Sequence, residues 1–194
     1  MNFSTIVSGF PRTGTSLMMQ MLHRGGLDVV ADAKNMQSQG AFDAHGDYEL
    51  NNLGPRLDKM TNEDLQGKAI KVVAPFIPRL PADINAKVIF MLRDPNEIIT
   101  SLMAMNVVWE DDPITCVREA RQILQDRAIQ VLDIQFHDVI KYPRTVASQV
   151  RDFVFVDLDV DNMVKALDSK ARTPNTGLVF FNNNLARVEQ IKQN

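Results

Sequence analysis

The chain has a single cysteine, Cys116, in 194 residues. An internal disulfide and a cysteine-ligated metal cluster are therefore both excluded, and Cys116 reads as a small buried hydrophobe. No apolar run approaches the ~18 residues that span a bilayer. Nothing after Met1 has the charged-then-apolar layout of a signal peptide, so a cytoplasmic protein with no membrane partner is expected. Basic charge is not in excess either: Lys and Arg total 21 against 24 Asp and Glu, a formal net charge of −3. That balance gives no global field for nucleic acid, and a polyanionic ligand would need a local basic pocket. Repeats and low-complexity linkers are missing as well. What remains is ordinary for a globular protein, 45% hydrophobic and 23% charged, and the length suits one domain over residues 1–194. The ten Met residues read as core filler, and the lone Trp109 as packing.

The most informative stretch is Thr5-Ile6-Val7-Ser8-Gly9-Phe10-Pro11-Arg12-Thr13-Gly14-Thr15-Ser16. An apolar run stops at Gly9, a Pro/Gly/Thr turn follows, and Leu17, Met18, Met21 and Leu22 then recur at helical spacing. A buried strand, a tight loop and a helix N-terminus in this order present backbone N–H groups and a positive dipole end to an anion. The spacing is that of a P-loop, G-x-x-x-x-G with two small residues after it, but one part is missing. Thr15 stands where nucleotide hydrolases carry the lysine that bridges the outer phosphates, and the positive side chain comes earlier, at Arg12. Hydrolysis of ATP is disfavoured by that loss.

Strand-like and helix-like segments alternate along the rest of the chain. The first helix should stop near Gly25-Gly26, and Leu27, Val29 and Val30 suit a short second strand. Residues 32–47 are polar and turn-rich. Helical periodicity returns at Leu50, Leu53, Leu57 and Met60, and Ala69-Ile70-Lys71-Val72-Val73 is a third apolar run. Lys87-Val88-Ile89-Phe90-Met91-Leu92 is the clearest strand, apolar enough to be covered on both faces. It ends at Arg93-Asp94-Pro95, where Pro95 opens a helix with Ile98, Ile99, Leu102 and Met103 facing inward. Asp112-Pro113 opens another through about 128, with Val117, Ala120, Ile123 and Leu124 on one face. A strand over 129–136, a helix ending near 154 and a last helix over 161–167 complete the pattern. Such alternation implies a parallel sheet flanked by helices, an α/β fold of three layers, with ligands at the carboxyl ends of its strands. Arg12 and Arg93 both fall there. Arg93 supplies a planar, permanently charged fork for a phosphate monoester, and Ser101, eight residues on, adds a hydroxyl. From the residues alone, the chain is an α/β binder of phosphate esters.

The string Gly9-Phe10-Pro11-Arg12-Thr13-Gly14-Thr15-Ser16 closely resembles the 5′-phosphosulfate loop of sulfotransferases, G-x-P-R-S-G-T-S/T. Val88-Ile89-Phe90-Met91-Leu92-Arg93-Asp94-Pro95, with Ser101 following, is similar to that family's 3′-phosphate motif. The segment from Ile134 to Pro143, followed by Val150, Phe153 and Val154, looks like its Y-E-D-L-x-x-D-P segment, with departures at Phe136, His137 and Tyr142. The resemblance implies a P-loop-like sulfotransferase fold. It further implies transfer of a sulfuryl group from 3′-phosphoadenosine 5′-phosphosulfate (PAPS) to a hydroxyl or amine, with adenosine 3′,5′-bisphosphate as product and no metal at the loop. Pro11, Arg12, Thr13, Gly14, Thr15, Ser16, Arg93 and Ser101 would hold the donor. Arg172 lies where relatives often supply a further basic residue to the nucleotide. Arg12 would also stabilise the leaving oxygen.

Such a transfer usually needs a base for the acceptor's proton. The loop around Gly40-Ala41-Phe42-Asp43 resembles a bacterial-type G-x-F-E segment with Asp43 in place of the Glu, one methylene shorter. His45 titrates nearer neutrality as a residue type, and Glu49 is a third candidate; each is equally readable as a solvated loop residue. His23 reads as a cation at a helix C-terminus, His137 as a strand-end residue, and Lys71 as a residue that could face the site. Trp109, Glu110, Asp111 and Asp112 form a candidate acceptor-side loop. The acceptor itself, whether small molecule, glycan or peptide, is not written in the sequence. Neither is the oligomeric state. The competing readings are a P-loop kinase or hydrolase and a sulfotransferase relative that binds without catalysis.

Overall fold

A computed structural model describes residues 2–37, 46–107 and 111–167. Its frame is a five-stranded sheet built from β1 (Ser4–Gly9), β2 (Val29–Val30), β3 (Ala69–Lys71), β4 (Ala86–Leu92) and β5 (Gln130–Gln135). The strands lie in the order β2-β3-β1-β4-β5 and every pairing is parallel. All six residues of β1 are buried, as a central strand covered on both faces requires. The period of two then sorts its neighbours. Val7, Ile89 and Met91 join one core with Met18, Leu22, Val146 and Val150. Ile6, Ile70, Val88 and Phe90 join the opposite core with Leu57, Ile77, Ala120 and Leu124.

The helices supply those two layers. On one face lie α1 (Thr15–Arg24), α7 (Pro143–Val154) and α8 (Val160–Val164); the short α2 (Leu53–Leu57) and α5 (Pro113–Asp126) cover the other. A small third cluster of Phe10, Ile98, Leu102 and Cys116 ties α4 (Pro95–Ala104) and α5 to the loop after β1. The connection leaving β1 runs towards β2 and β3, and the one leaving β4 runs the other way to β5. The crevice between the ends of β1 and β4 is therefore the topological switch point, where open α/β sheets take their ligands.

The parallel sheet and its helices match the sequence reading, and the differences are local. Ile98 and Leu102 are buried on α4, but Ile99 is 47% exposed, because a stripe at i and i+4 covers only one face. The strand expected over 129–136 stops at Gln135, and Phe136 opens a further helix, α6 (Phe136–Lys141). That helix ends before Pro143, which has no N–H to continue it and instead starts α7. His137 is therefore a helical residue and not a strand end. The last helix runs Val160–Val164, capped by the Asp159 side chain on the Asn162 amide. The short α3 (Asn62–Leu65) was not anticipated either, a single turn held by a capping box between Thr61 and Asp64. Among the described residues no helix is long and apolar enough to cross a membrane.

Candidate functional site

The loop after β1 is shaped by two glycines at which a side chain would be strained. Gly9 has φ +137°, and a Cβ there would lie 2.5 Å from both the Met91 carbonyl oxygen and the Thr13 Oγ1. Gly14 has φ +98°, and its Cβ would lie 2.5 Å from the Phe136 ring. Between them Arg12 sits at φ +74°, a left-handed conformation unusual for a residue with a side chain. The turn is closed by Thr13, whose amide (3.2 Å) and buried hydroxyl (2.7 Å) both donate to the Phe10 carbonyl. Thr13 thus braces the loop from inside. Gly14 is the N-cap of α1 and no side chain caps that helix, so its first-turn N–H groups, including those of Thr15 and Ser16, face outward without an intrahelical partner.

Arg12, Arg93 and Ser101 converge beside this loop. Arg12 donates from Nε to the Ser101 Oγ at 3.1 Å. Arg93, at the end of β4, donates from Nη1 to the Arg12 carbonyl at 3.0 Å and from Nε to the Glu97 carboxylate at 2.8 Å. Its guanidinium carbon lies 4.4 Å from the centre of the Phe136 ring, within cation–π range. Ser101 accepts from Arg12 and keeps its own O–H as a donor. Arg93 pairs with Glu97, not with Asp94, because the Asp94 carboxylate caps α4 through the amides of Asn96 and Glu97. Glu97 also meets His137 Nε2 at 2.9 Å. Partial burial acts to raise the Glu97 carboxyl, and the hydrogen bonds from Arg93 and His137 outweigh it, holding the group below the usual carboxylate range.

The other end of the loop carries the cation that the sequence marked only faintly. Lys71 closes β3 with 4% of its surface exposed. Its Nζ donates to Ser16 Oγ at 3.2 Å, donates to the Asp47 carbonyl and pairs with Glu49 at 2.8 Å. The missing loop lysine is thus offset by a lysine delivered from the neighbouring strand. Its signal in the sequence was a lone charge at the carboxyl end of an apolar run, which becomes pointed only once β3 is known to adjoin β1. Residues 46–49 are pinned across this end of the site: Gln20 donates to the Gly46 carbonyl at 2.9 Å, and the Tyr48 hydroxyl meets His23 Nδ1 at 2.9 Å. His23 is in the last turn of α1 as expected.

Of the base candidates, Glu49 lies at the site through Lys71, while Asp43 and His45 lie outside the described residues. Arg172, Trp109 and Glu110 lie outside them too. Asp112 is given to α5, its carboxylate accepting from the Thr115 amide at 2.7 Å. Cys116 is buried, and burial pushes its thiol up. A cavity of about 490 Å³ opens beside Thr13 and Arg93 between α4 and α5, with Arg121 on its wall bound to Asp133 by two hydrogen bonds of 2.6 and 2.8 Å. Among the described residues no three His, Cys, Asp or Glu side chains gather as a ligating cluster.

No family model matches the chain, and no curated protein matches it in sequence. Solved structures do match in fold. The mouse sulfotransferase SULT7A1 complexed with PAP is similar with a TM-score of 0.53 at 13% identity, over 88% of this chain and 64% of that one. The chain therefore spans under two thirds of that neighbour. The sulfotransferase domain from the curacin biosynthetic pathway follows with a TM-score of 0.48 at 15% identity, over 89% and 80%. A sugar kinase from Janibacter sp. HTCC2649 gives 0.44 at 9% identity, over 80% and 96%. The first of these matches establishes the class of fold, the parallel P-loop-like α/β sheet of a sulfotransferase.

Proposed function

We propose that the chain is a sulfotransferase that binds PAPS across the ends of β1 and β4. The observation that carries this reading is the convergence of Arg12, Arg93 and Ser101 within direct hydrogen-bonding contact, from three separate segments, beside an uncapped helix N-terminus. These groups suit the donor by chemistry. Arg93 and the Ser101 hydroxyl offer a planar fork and a donor to the 3′-phosphate. The amides of Gly14, Thr15 and Ser16, with Arg12 and Lys71, offer positive charge to the 5′-phosphosulfate. Bound there, the donor supplies an activated sulfuryl group for in-line displacement by an acceptor hydroxyl or amine.

The side chains then divide the work. Arg12 and Lys71 would counter the negative charge that grows on the oxygen between phosphorus and sulfur as its bond to sulfur breaks. A carboxylate or imidazole takes the acceptor's proton as its oxygen bonds to sulfur; Asp43, His45 and Glu49 are the candidates, of which Glu49 is the one held at the loop. The acceptor would be a small molecule, glycan or peptide.

Calorimetric titration with adenosine 3′,5′-bisphosphate tests this reading, with ATP and Arg93→Ala as controls. Tight binding of the bisphosphate, weak ATP binding and a loss of tenfold or more in the variant support it. Absence of bisphosphate binding by folded protein overturns it, and preference for ATP returns the chain to the kinase or hydrolase class. Retained binding without transfer to any acceptor would identify a non-catalytic relative.

A further inference from the structure

Arg93 is held by more than its own stretch of chain. Its Nε edge is taken by Glu97, one helical turn on, and Glu97 is in turn held from α6 by His137. The guanidinium carbon lies over the ring of Phe136, the residue before His137. With Nη1 on the Arg12 carbonyl, the fork is held at two atoms and against one ring. Among the described residues these contacts use two of its five N–H groups, and the rest stay available on the terminal nitrogens. The charged groups facing Glu97 are Arg93 at the end of β4 and His137 on α6. Arg12 reaches the cluster through Arg93 and Ser101, and Asp94 is turned to the α4 amides.

We propose that Glu97 and His137 are positioning residues for Arg93: they aim its terminal nitrogens at the nucleotide 3′-phosphate. The proposal rests on the donor reading above. The hold of His137 on Glu97 is modest because its side chain is 66% exposed and the solvent screens it.

Titration of two ligands against three variants tests this. Adenosine 3′,5′-bisphosphate has the 3′-phosphate and adenosine 5′-phosphate lacks it. Glu97→Ala should weaken the bisphosphate about tenfold and leave the 5′-phosphate within about twofold, while Glu97→Gln, whose carbonyl still accepts from Arg93, should recover most of the loss. His137→Ala should weaken the bisphosphate about threefold and leave the 5′-phosphate unchanged. Equal loss of both ligands in Glu97→Ala, or no loss in either alanine variant, overturns the proposal alone. A wild-type protein that is folded yet binds no bisphosphate overturns the donor reading and this proposal together.

Discussion

Lys71 shows what a single side chain costs a sheet. Its ammonium is almost wholly removed from water and is compensated by Glu49, Ser16 and one carbonyl. Replacing a buried ion by an apolar chain of similar length is often neutral or stabilising, and here the abandoned Glu49 is 55% exposed at its side chain, so water can solvate it. Lys71→Met should therefore melt no lower than the wild type while binding adenosine 3′,5′-bisphosphate about tenfold more weakly. Thermal denaturation and calorimetry on the same preparation separate the two effects. Gly14→Ala should fail in the opposite manner. Its φ of +98° and the 2.5 Å approach to Phe136 mean a left-handed alanine of about 1–2 kcal/mol and a displaced ring beneath Arg93, so stability and binding fall together. Gly14 was legible in the sequence because its spacing to Gly9 defines the loop. Lys71 was faint because a strand-end lysine acquires meaning only from the strand beside it.

Among the elements, α4 combines packing with the Arg12 and Arg93 cluster. Ile98 and Leu102 face the core, while Glu97 and Ser101, four residues apart and each one position earlier, face the cluster with Arg93 and Arg12. This division explains why Ile99 is turned outward, although hydrophobicity alone placed it within. The helix starts where Asp94 caps two amides and Pro95 occupies the first turn, a beginning that the sequence displays openly. Asp94→Ala should lower stability by about 1 kcal/mol, measured by urea denaturation. It should also loosen the bisphosphate site, since Glu97 and Ser101 hang from the same first turns. The helix α6 was less legible. Its five residues after Phe136 are too few for a periodic pattern, and only the break at Pro143 marks its end.

At the scale of the molecule, alternating apolar runs and amphipathic helices announced a parallel sheet, whereas periodicity carries no information on strand order. That order is what brings Arg12, Arg93 and Lys71 to one crevice in a chain of net charge −3. Glu97 and Glu49 already pair with Arg93 and Lys71, and an anion bound only by the folded crevice links ligand and fold. A ligand bound only by the folded state adds RT ln(1 + [L]/Kd) to stability, about 2.7 kcal/mol at a hundredfold excess over Kd. For a chain of this size that corresponds to a rise in Tm of about 5–10 °C. Adenosine 3′,5′-bisphosphate should give this rise and ATP should not. The rise should shrink as pH falls below about 4, and the sign follows from Glu97. Its folded-state pKa lies below its unfolded value, so the folded protein binds fewer protons and the carboxylate's contribution is complete above the unfolded pKa of about 4.3. That contribution is lost as pH falls through the folded value, and the brace on Arg93 is lost with it. Scanning thermal melts with and without ligand between pH 3 and pH 8 would show a gap that closes on the acid side. A gap that stays constant to pH 3 would mean that the bisphosphate is held without the Glu97 carboxylate.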